Sequence, residues 1–292
     1  MKFLLKLLVV AALAAAGFFA YQMYQDNQRR QQEWLELREQ ELSQKERALN
    51  QSQEEARIRQ KLEQDLSEKQ ADMDTVPSFG TSGSLVSGQV VAERDRRFKR
   101  LPSEFSTKSI YVNVETYHDL VKMMSAARSD GIDLKVMSGF RSYDYQKGIW
   151  DRKWQAFGAG VDERTRINSI MRYSSLPGIS RHHWGTDVDF NSVSSDYWQS
   201  AKGRKIYQWL KQNAPAYGFC QVYDGKSRGE RQGGYEDEPW HWSYLKVAAK
   251  LQREREATID ELVGAPIYGR ETLRKMIPQL KTYVTSIHPS CR

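Results

Sequence analysis

Hydrophobic and polar positions divide the chain into stretches of very different character. Lys2 and Lys6 bracket a short positive start, and from Leu7 to Tyr24 there is no charged residue and a single Gln22. That run is close to the roughly 20 apolar residues a spanning helix needs. Residues 1–24 therefore read as a membrane anchor or a signal segment. Ala14-Ala15-Ala16-Gly17 offers a cleavage site. Phe18, Phe19, Tyr21, Met23 and Tyr24 instead prolong the apolar run and end it in an aromatic belt. A buried soluble helix is the third reading. Both main readings export the rest of the chain and leave Lys2 and Lys6 on the cytoplasmic side.

Residues 25–74 are almost entirely Gln, Glu, Arg, Lys, Ser and Leu, without Gly or Pro. Such a run is helix or disorder. Leu35, Leu42, Leu49 and Ala56 recur every seven residues, as a coiled-coil seam does. Their partner positions Arg38, Lys45, Ser52 and Arg59 are polar, so the seam is half built. A second, phase-shifted stripe follows at Ile58, Leu62, Leu66 and Met73. The expectation is a helical stalk that pairs weakly with a second copy; the alternative is a solvated single helix laced by opposite charges. Fully helical, it would reach roughly 70–75 Å at 1.5 Å per residue. Pro77-Ser78-Phe79-Gly80-Thr81-Ser82-Gly83-Ser84 breaks the helix, and residues 75–89 read as a flexible linker.

Beyond residue 90 short apolar runs alternate with helical stripes. Val112-Asn113-Val114, Leu134-Lys135-Val136-Met137, Asp187-Val188-Asp189-Phe190, Phe219 to Tyr223 and His241 to Leu245 read as strands. Tyr117, Leu120, Val121, Met124 and Ala127 mark one helix, Asp144 to Phe157 a second, and Ile206 to Leu210 a third. Strands mixed with separated helices predict an α+β domain over 90–247. Residues 248–292 form a C-terminal extension of two helices, divided near Gly264-Ala265-Pro266.

Composition sharpens this picture. With 28% charged residues the 292-residue chain is polar, yet most of its eight Trp and 15 Tyr follow position 100, so the core lies there. Lys and Arg outnumber Asp and Glu by 44 to 37, a net charge of +7 that suits anionic surroundings. Outside the cytoplasm, nucleic acid is not an expected partner. Arg94-Asp95-Arg96-Arg97-Phe98-Lys99-Arg100 would touch anionic polymers or simply be a solvated face. The two cysteines, Cys220 and Cys291, exclude a disulfide framework; they either pair or remain thiols.

The chemistry concentrates at Ser180-Arg181-His182-His183-Trp184-Gly185-Thr186-Asp187-Val188-Asp189 and at Glu238-Pro239-Trp240-His241. Two imidazoles and one carboxylate are a recurrent zinc set with a fourth position open for water. His182, Asp189 and His241 can supply the three, and Glu238 the base that takes a proton from that water. By spacing alone, such residues are more often surface pairs. Gly185 gives the turn that folds the His182 loop back towards Asp189. Positions 238 and 241 would point to opposite faces of a regular strand, so Glu238 must lie at or before the strand start, with Pro239 providing a bend. Asp187 shares a strand face with Asp189, which admits it as an outer partner or an alternative ligand.

Gly139-Phe140-Arg141-Ser142 with Gln146, the S-x-H-x-x-G-x-x-x-D run at 180–189 and E-x-W-H at 238–241 resemble, in that order, the zinc D-alanyl-D-alanine carboxypeptidases of the VanY type. The wider group includes L,D-carboxypeptidases and D,D-dipeptidases. The resemblance covers about residues 90–247. It implies a small antiparallel sheet with flanking helices carrying Zn²⁺ on His182, Asp189 and His241. It further implies Glu238 as the proton shuttle, Arg141 facing the scissile carbonyl or the substrate carboxylate, and Ser180 and Gln146 binding the peptide by hydrogen bonds. The implied partner is the peptidoglycan stem peptide, and the implied location the cell envelope. Arg181 and Asp187 depart from the Glu or Gln, and the Ala, that many relatives carry there.

Other readings stay open on sequence alone: a crosslink endopeptidase, or a non-catalytic wall-binding scaffold whose working parts are stalk and tail. His183 is expected to pack or hydrogen-bond rather than bind metal. His118 and His288 read as structural or exposed, Trp184, Trp240 and Trp242 as walls of the site or core, and Glu236 and Asp237 as spare acids.

Overall fold

The computed structural model describes residues 83–259 and 266–292, together with helical residues scattered between 17 and 60. It divides into two units, residues 1–76 and 77–292. In the first, residues 17–19 and 21–31 are helical, with Phe18, Phe19, Tyr21, Met23 and Tyr24 exposed. Among the described residues no helix is long and apolar enough to cross a membrane. Most of the expected 1–24 span, and Leu35, Leu49 and Ala56 of the stalk seam, lie outside the described residues; Leu42 is described and exposed.

The second unit carries the α+β architecture. A four-stranded antiparallel sheet has the order β3 (Val136–Ser138), β4 (Asp187–Phe190), β6 (His241–Tyr244), β5 (Phe219–Cys220). A separate antiparallel pair joins β1 (Phe98–Arg100) to β2 (Tyr111–Asn113). Between the strands run α2 (Val114–Ser129), α3 (Tyr143–Gln155), α4 (Glu163–Ile170), α5 (Ser195–Gln199) and α6 (Ala201–Asn213). Asn113 starts α2 by accepting the Glu115 N–H at 2.9 Å, and Ser142 starts α3 by accepting the Tyr145 N–H at 3.2 Å. The stripe Tyr117, Leu120, Val121, Met124 and Ala127 is buried, as its spacing predicts. The expected strand at 219–223 ends after Cys220, the last of its residues paired with β6. The basic stretch at 94–100 supplies β1, where Phe98 is buried and Arg97 pairs with Asp95 at 2.7 Å.

Two regions are more deeply built in than the sequence suggested. Within the stretch read as a linker, Gly83–Val86 form a short helix, α1, and Leu85 and Val86 are buried against Trp184 and Leu251. The next turn passes so close to His183 that a Cβ on Gly88 (φ +76°) would lie 2.3 Å from its Nδ1. Where two helices were expected at 248–292, the described residues form three: α7 (Leu245–Thr258), which begins just before that stretch, α8 (Arg270–Arg274) and α9 (Ile277–Thr285). Leu273, Met276, Leu280 and Val284 enter one core with Trp150, Trp154, Ile167 and Met171. Fully burying Leu273 and Leu280 alone contributes about 3–6 kcal/mol of transfer free energy. A Cys220–Cys291 disulfide, with Cα atoms 5.7 Å apart, ties the chain end to β5 and decides between the two cysteine readings.

Candidate metal centre

The sheet brings the two separated motifs together. In the β4–β6 ladder Asp189 lies opposite His241 and Asp187 opposite Ser243. His182 arrives from the tight turn Arg181–Trp184, which Gly185 closes in the left-handed conformation at φ +69°. A side chain there would strike the Phe98 ring and the Asn113 backbone, at 2.6 and 2.7 Å, so the turn needs glycine for both space and backbone. Ligand atoms of His182, Asp189 and His241, all buried, lie within 4.8 Å of one another.

Hydrogen bonds orient each donor. His182 Nδ1 is 2.8 Å from the Gly139 carbonyl, which only accepts, so Nδ1 carries the proton and Nε2 turns a lone pair to Asp189 Oδ2, 3.3 Å away. His241 Nε2 is 2.9 Å from Asp187 Oδ2, while its Nδ1 faces Asp189 Oδ1 at 3.1 Å. Burial alone would lower the His241 pKa; hydrogen bonds to Asp187 and Asp189 outweigh it and raise it to about 9. Burial would likewise raise Asp189, but His182 and Arg141 hold it well below the ordinary carboxylate range. Burial, then the Arg141 charge, lower His182. Two imidazole nitrogens and one carboxylate oxygen converging within 4.8 Å are a recurrent zinc donor set, so these residues fit zinc.

Glu238 occupies the position its spacing required. It lies just before β6, in a turn closed by the His241 N–H on its carbonyl at 3.2 Å. Its Oε2 is 3.7 Å from His241 Nδ1, and burial, reinforced by the Asp189 charge, raises its pKa to about 7. Arg141 donates to Asp189 Oδ2 at 2.6 Å and to Ser138 Oγ at 2.8 Å, leaving Nη1 without a partner among the described residues. A cavity of about 240 Å³ opens on the cluster, lined by Arg141, Ser180, His182, Asp189, Glu238 and His241.

Of the other sequence candidates, Gln146 is fully buried and donates to the Ser175 carbonyl at 2.7 Å; it backs the cavity wall rather than lining it. His183 accepts the Gly178 N–H at 2.9 Å and donates through Nδ1 to the Arg141 carbonyl at 2.6 Å. Trp240 lines the cavity, whereas Trp184 and Trp242 belong to the core. His288 contacts Glu230 and Ser290 beside the disulfide, and His118 is buried on α2. Glu236 and Asp237 pair with Lys226 and Arg231.

Three residues were missed. Lys153 lines the cavity between the fields of Glu238 and Arg141; burial and Arg141 lower its pKa. Its signal was helical: it lies seven positions after Gln146, two turns along one face. Tyr223 and Tyr235 complete the wall, the Tyr223 ring 4.7 Å from that of His241. Asp187 receives four donors, from Arg181 Nε (2.8 Å), His241 Nε2 (2.9 Å), Ser243 Oγ (2.7 Å) and Thr186 Oγ1 (2.8 Å). Both of its oxygens are committed, so it is an outer partner of His241 and not an alternative ligand.

A family profile described as D-alanyl-D-alanine carboxypeptidase, VanY, matches residues 109–247. The putative carboxypeptidase YodJ of Bacillus subtilis is 32% identical over 158 residues, covering 52% of this chain and 53% of that one. A D-alanyl-D-alanine carboxypeptidase of Enterococcus faecalis is 30% identical over 131 residues, 44% and 47% of the two chains. The chain thus spans about half the length of these curated relatives. A crystal structure of a VanY vancomycin-resistance D,D-pentapeptidase with Zn(II) is 26% identical and covers 56% of this chain and 86% of its own, with a TM-score of 0.42. Residues 109–247, the stretch that carries His182, Asp189 and His241, are thus similar to the VanY-type carboxypeptidase family.

Proposed function

We propose that this protein is a zinc-dependent carboxypeptidase that removes the terminal D-alanine from peptidoglycan stem peptides. The observation that carries the reading is the buried His182–Asp189–His241 set with Glu238 beside it in one cavity. The similarity of residues 109–247 to that family supports the substrate class.

Zinc held by His182, Asp189 and His241 would polarise the scissile carbonyl and acidify a water. Glu238, with its carboxyl raised towards neutrality, takes the proton from the attacking water and returns it to the leaving amine. Arg141 is fixed by Asp189 and Ser138, and its remaining Nη1 bears negative charge developing on the carbonyl oxygen. Lys153, at the same cavity, is suited to the free carboxylate that defines a chain terminus. Ser180 hydrogen-bonds the peptide, and Gln146 acts through the Ser175 carbonyl it holds.

In the same reading the protein works in the cell envelope, exported by residues 1–24 and held at the membrane by them. The exposed aromatic residues at 18–24 support an interfacial anchor. Release of D-alanine from purified stem peptides, followed by mass, tests the activity. Its absence with zinc bound would remove the carboxypeptidase reading and turn attention to crosslinked dimers.

A further inference from the structure

The metal centre is braced from a direction that the matched domain does not include. Behind His241, Asp187 accepts from Arg181, whose guanidinium is buried, lies 4.6 Å from the Trp184 ring and also donates to Ser243 Oγ at 2.7 Å. The remaining arm, Nη1, donates to Gln252 Oε1. Gln252 stands on α7, and its amide donates onward to the Val284 carbonyl on α9 at 3.0 Å. Gln252 and Val284 both lie in the C-terminal extension, beyond the matched residues 109–247. An unbroken polar chain therefore runs from α9 to a metal-ligand candidate.

We propose that Gln252, Arg181 and Asp187 are positioning residues that make the C-terminal extension a working part of the metal centre. They hold His241 in the tautomer that presents Nδ1 to the cation. The proposal rests on the zinc reading of the site but not on the substrate.

The two histidines are held differently. His182 meets a neutral carbonyl, whereas His241 meets a carboxylate. A carboxylate behind a ligating imidazole fixes its proton on the far nitrogen and makes the near one a stronger donor. A buried carboxylate needs compensation to stay ionised, and Arg181 supplies it. A buried guanidinium needs acceptors on every arm, and Gln252 closes the last one. Shifting or losing the extension would free Arg181, loosen Asp187 and release the His241 ring.

The test uses the full chain and reads metal binding rather than turnover. Arg181→Gln combined with Asp187→Ala removes both charges, so that neither is left buried alone. Competition with a chromophoric chelator gives zinc affinity, the visible spectrum of the cobalt-substituted protein reports ligand geometry, and near-ultraviolet circular dichroism reports folding. The expected result is a folded protein with roughly 10–100-fold weaker zinc binding and an altered cobalt spectrum. Gln252→Ala weakens zinc binding by a smaller factor. Glu256→Ala leaves affinity unchanged, because Glu256 contacts the Gln252 amide and not Arg181. A folded double variant with parental affinity and cobalt spectrum overturns the proposal. If the double variant does not fold, parental affinity in Gln252→Ala overturns it instead. A parent that binds zinc yet releases no D-alanine sinks the substrate reading and leaves this one standing; a parent that binds no zinc sinks both.

Discussion

Glu238 is where the chemistry is most exposed to test. It is buried, 3.7 Å from His241 Nδ1, and stands outside the His182–Asp189–His241 set. Glu238→Ala should retain parental zinc content while kcat falls roughly 10²–10⁴-fold, the range for losing a general base. The pH profile follows from its environment. A base must be ionised to act, and burial raises Glu238 to about 7. A cation at the site pulls in the opposite direction, so kcat/KM should fall as pH drops through a value at or below 7, and an acid limb well above 7 would contradict the role. Lys153 tests recognition: Lys153→Ala should raise KM about tenfold for peptides with a free terminal carboxylate, the size of one lost charge-assisted contact of about 1.5 kcal/mol. Amidated peptides should show no such change. With five histidines in the chain, His182 and His241 were legible from sequence, and so was Glu238. Asp187 was legible only in part: strand parity admitted it as an outer partner or an alternative ligand, and only the packed structure, with its four donors, decides for the outer partner. Arg181 and Asp187, the two departures from the family pattern, turn out to be partners of each other.

At the scale of elements, β4 and β6 were readable because alternation and strand boundaries coincide with the motifs they carry. The segment at 83–88 was not, because its Ser and Gly content reads as linker, whereas Leu85 and Val86 supply its burial. Gly88 offers a quantitative check on that packing. Gly88→Ala should cost about 1–3 kcal/mol from overpacking against His183, in addition to its left-handed backbone. Gly131→Ala shares the positive φ but meets nothing within 4 Å, so it should cost about 1 kcal/mol. Equal losses in urea denaturation would argue against the close approach.

Within the unit at 77–292, the sheet that carries the candidate metal site, the C-terminal helices and the disulfide are tied together. The bridge closes a 71-residue separation, and Cys291→Ser should lower unfolding free energy by about 4 kcal/mol on the chain-entropy account. A disulfide of this kind fits an oxidising compartment. The extension's contribution to the core was hidden from sequence, since amphipathic helices do not announce which face of which domain they cover.

The most direct test is D-alanine release by the full-length protein from purified stem tetrapeptides and pentapeptides, with bound zinc measured in the same samples. The account predicts release from at least one peptide, lost on chelation, restored by added zinc and absent in Glu238→Ala. Stoichiometric zinc with no D-alanine released from either peptide would contradict it.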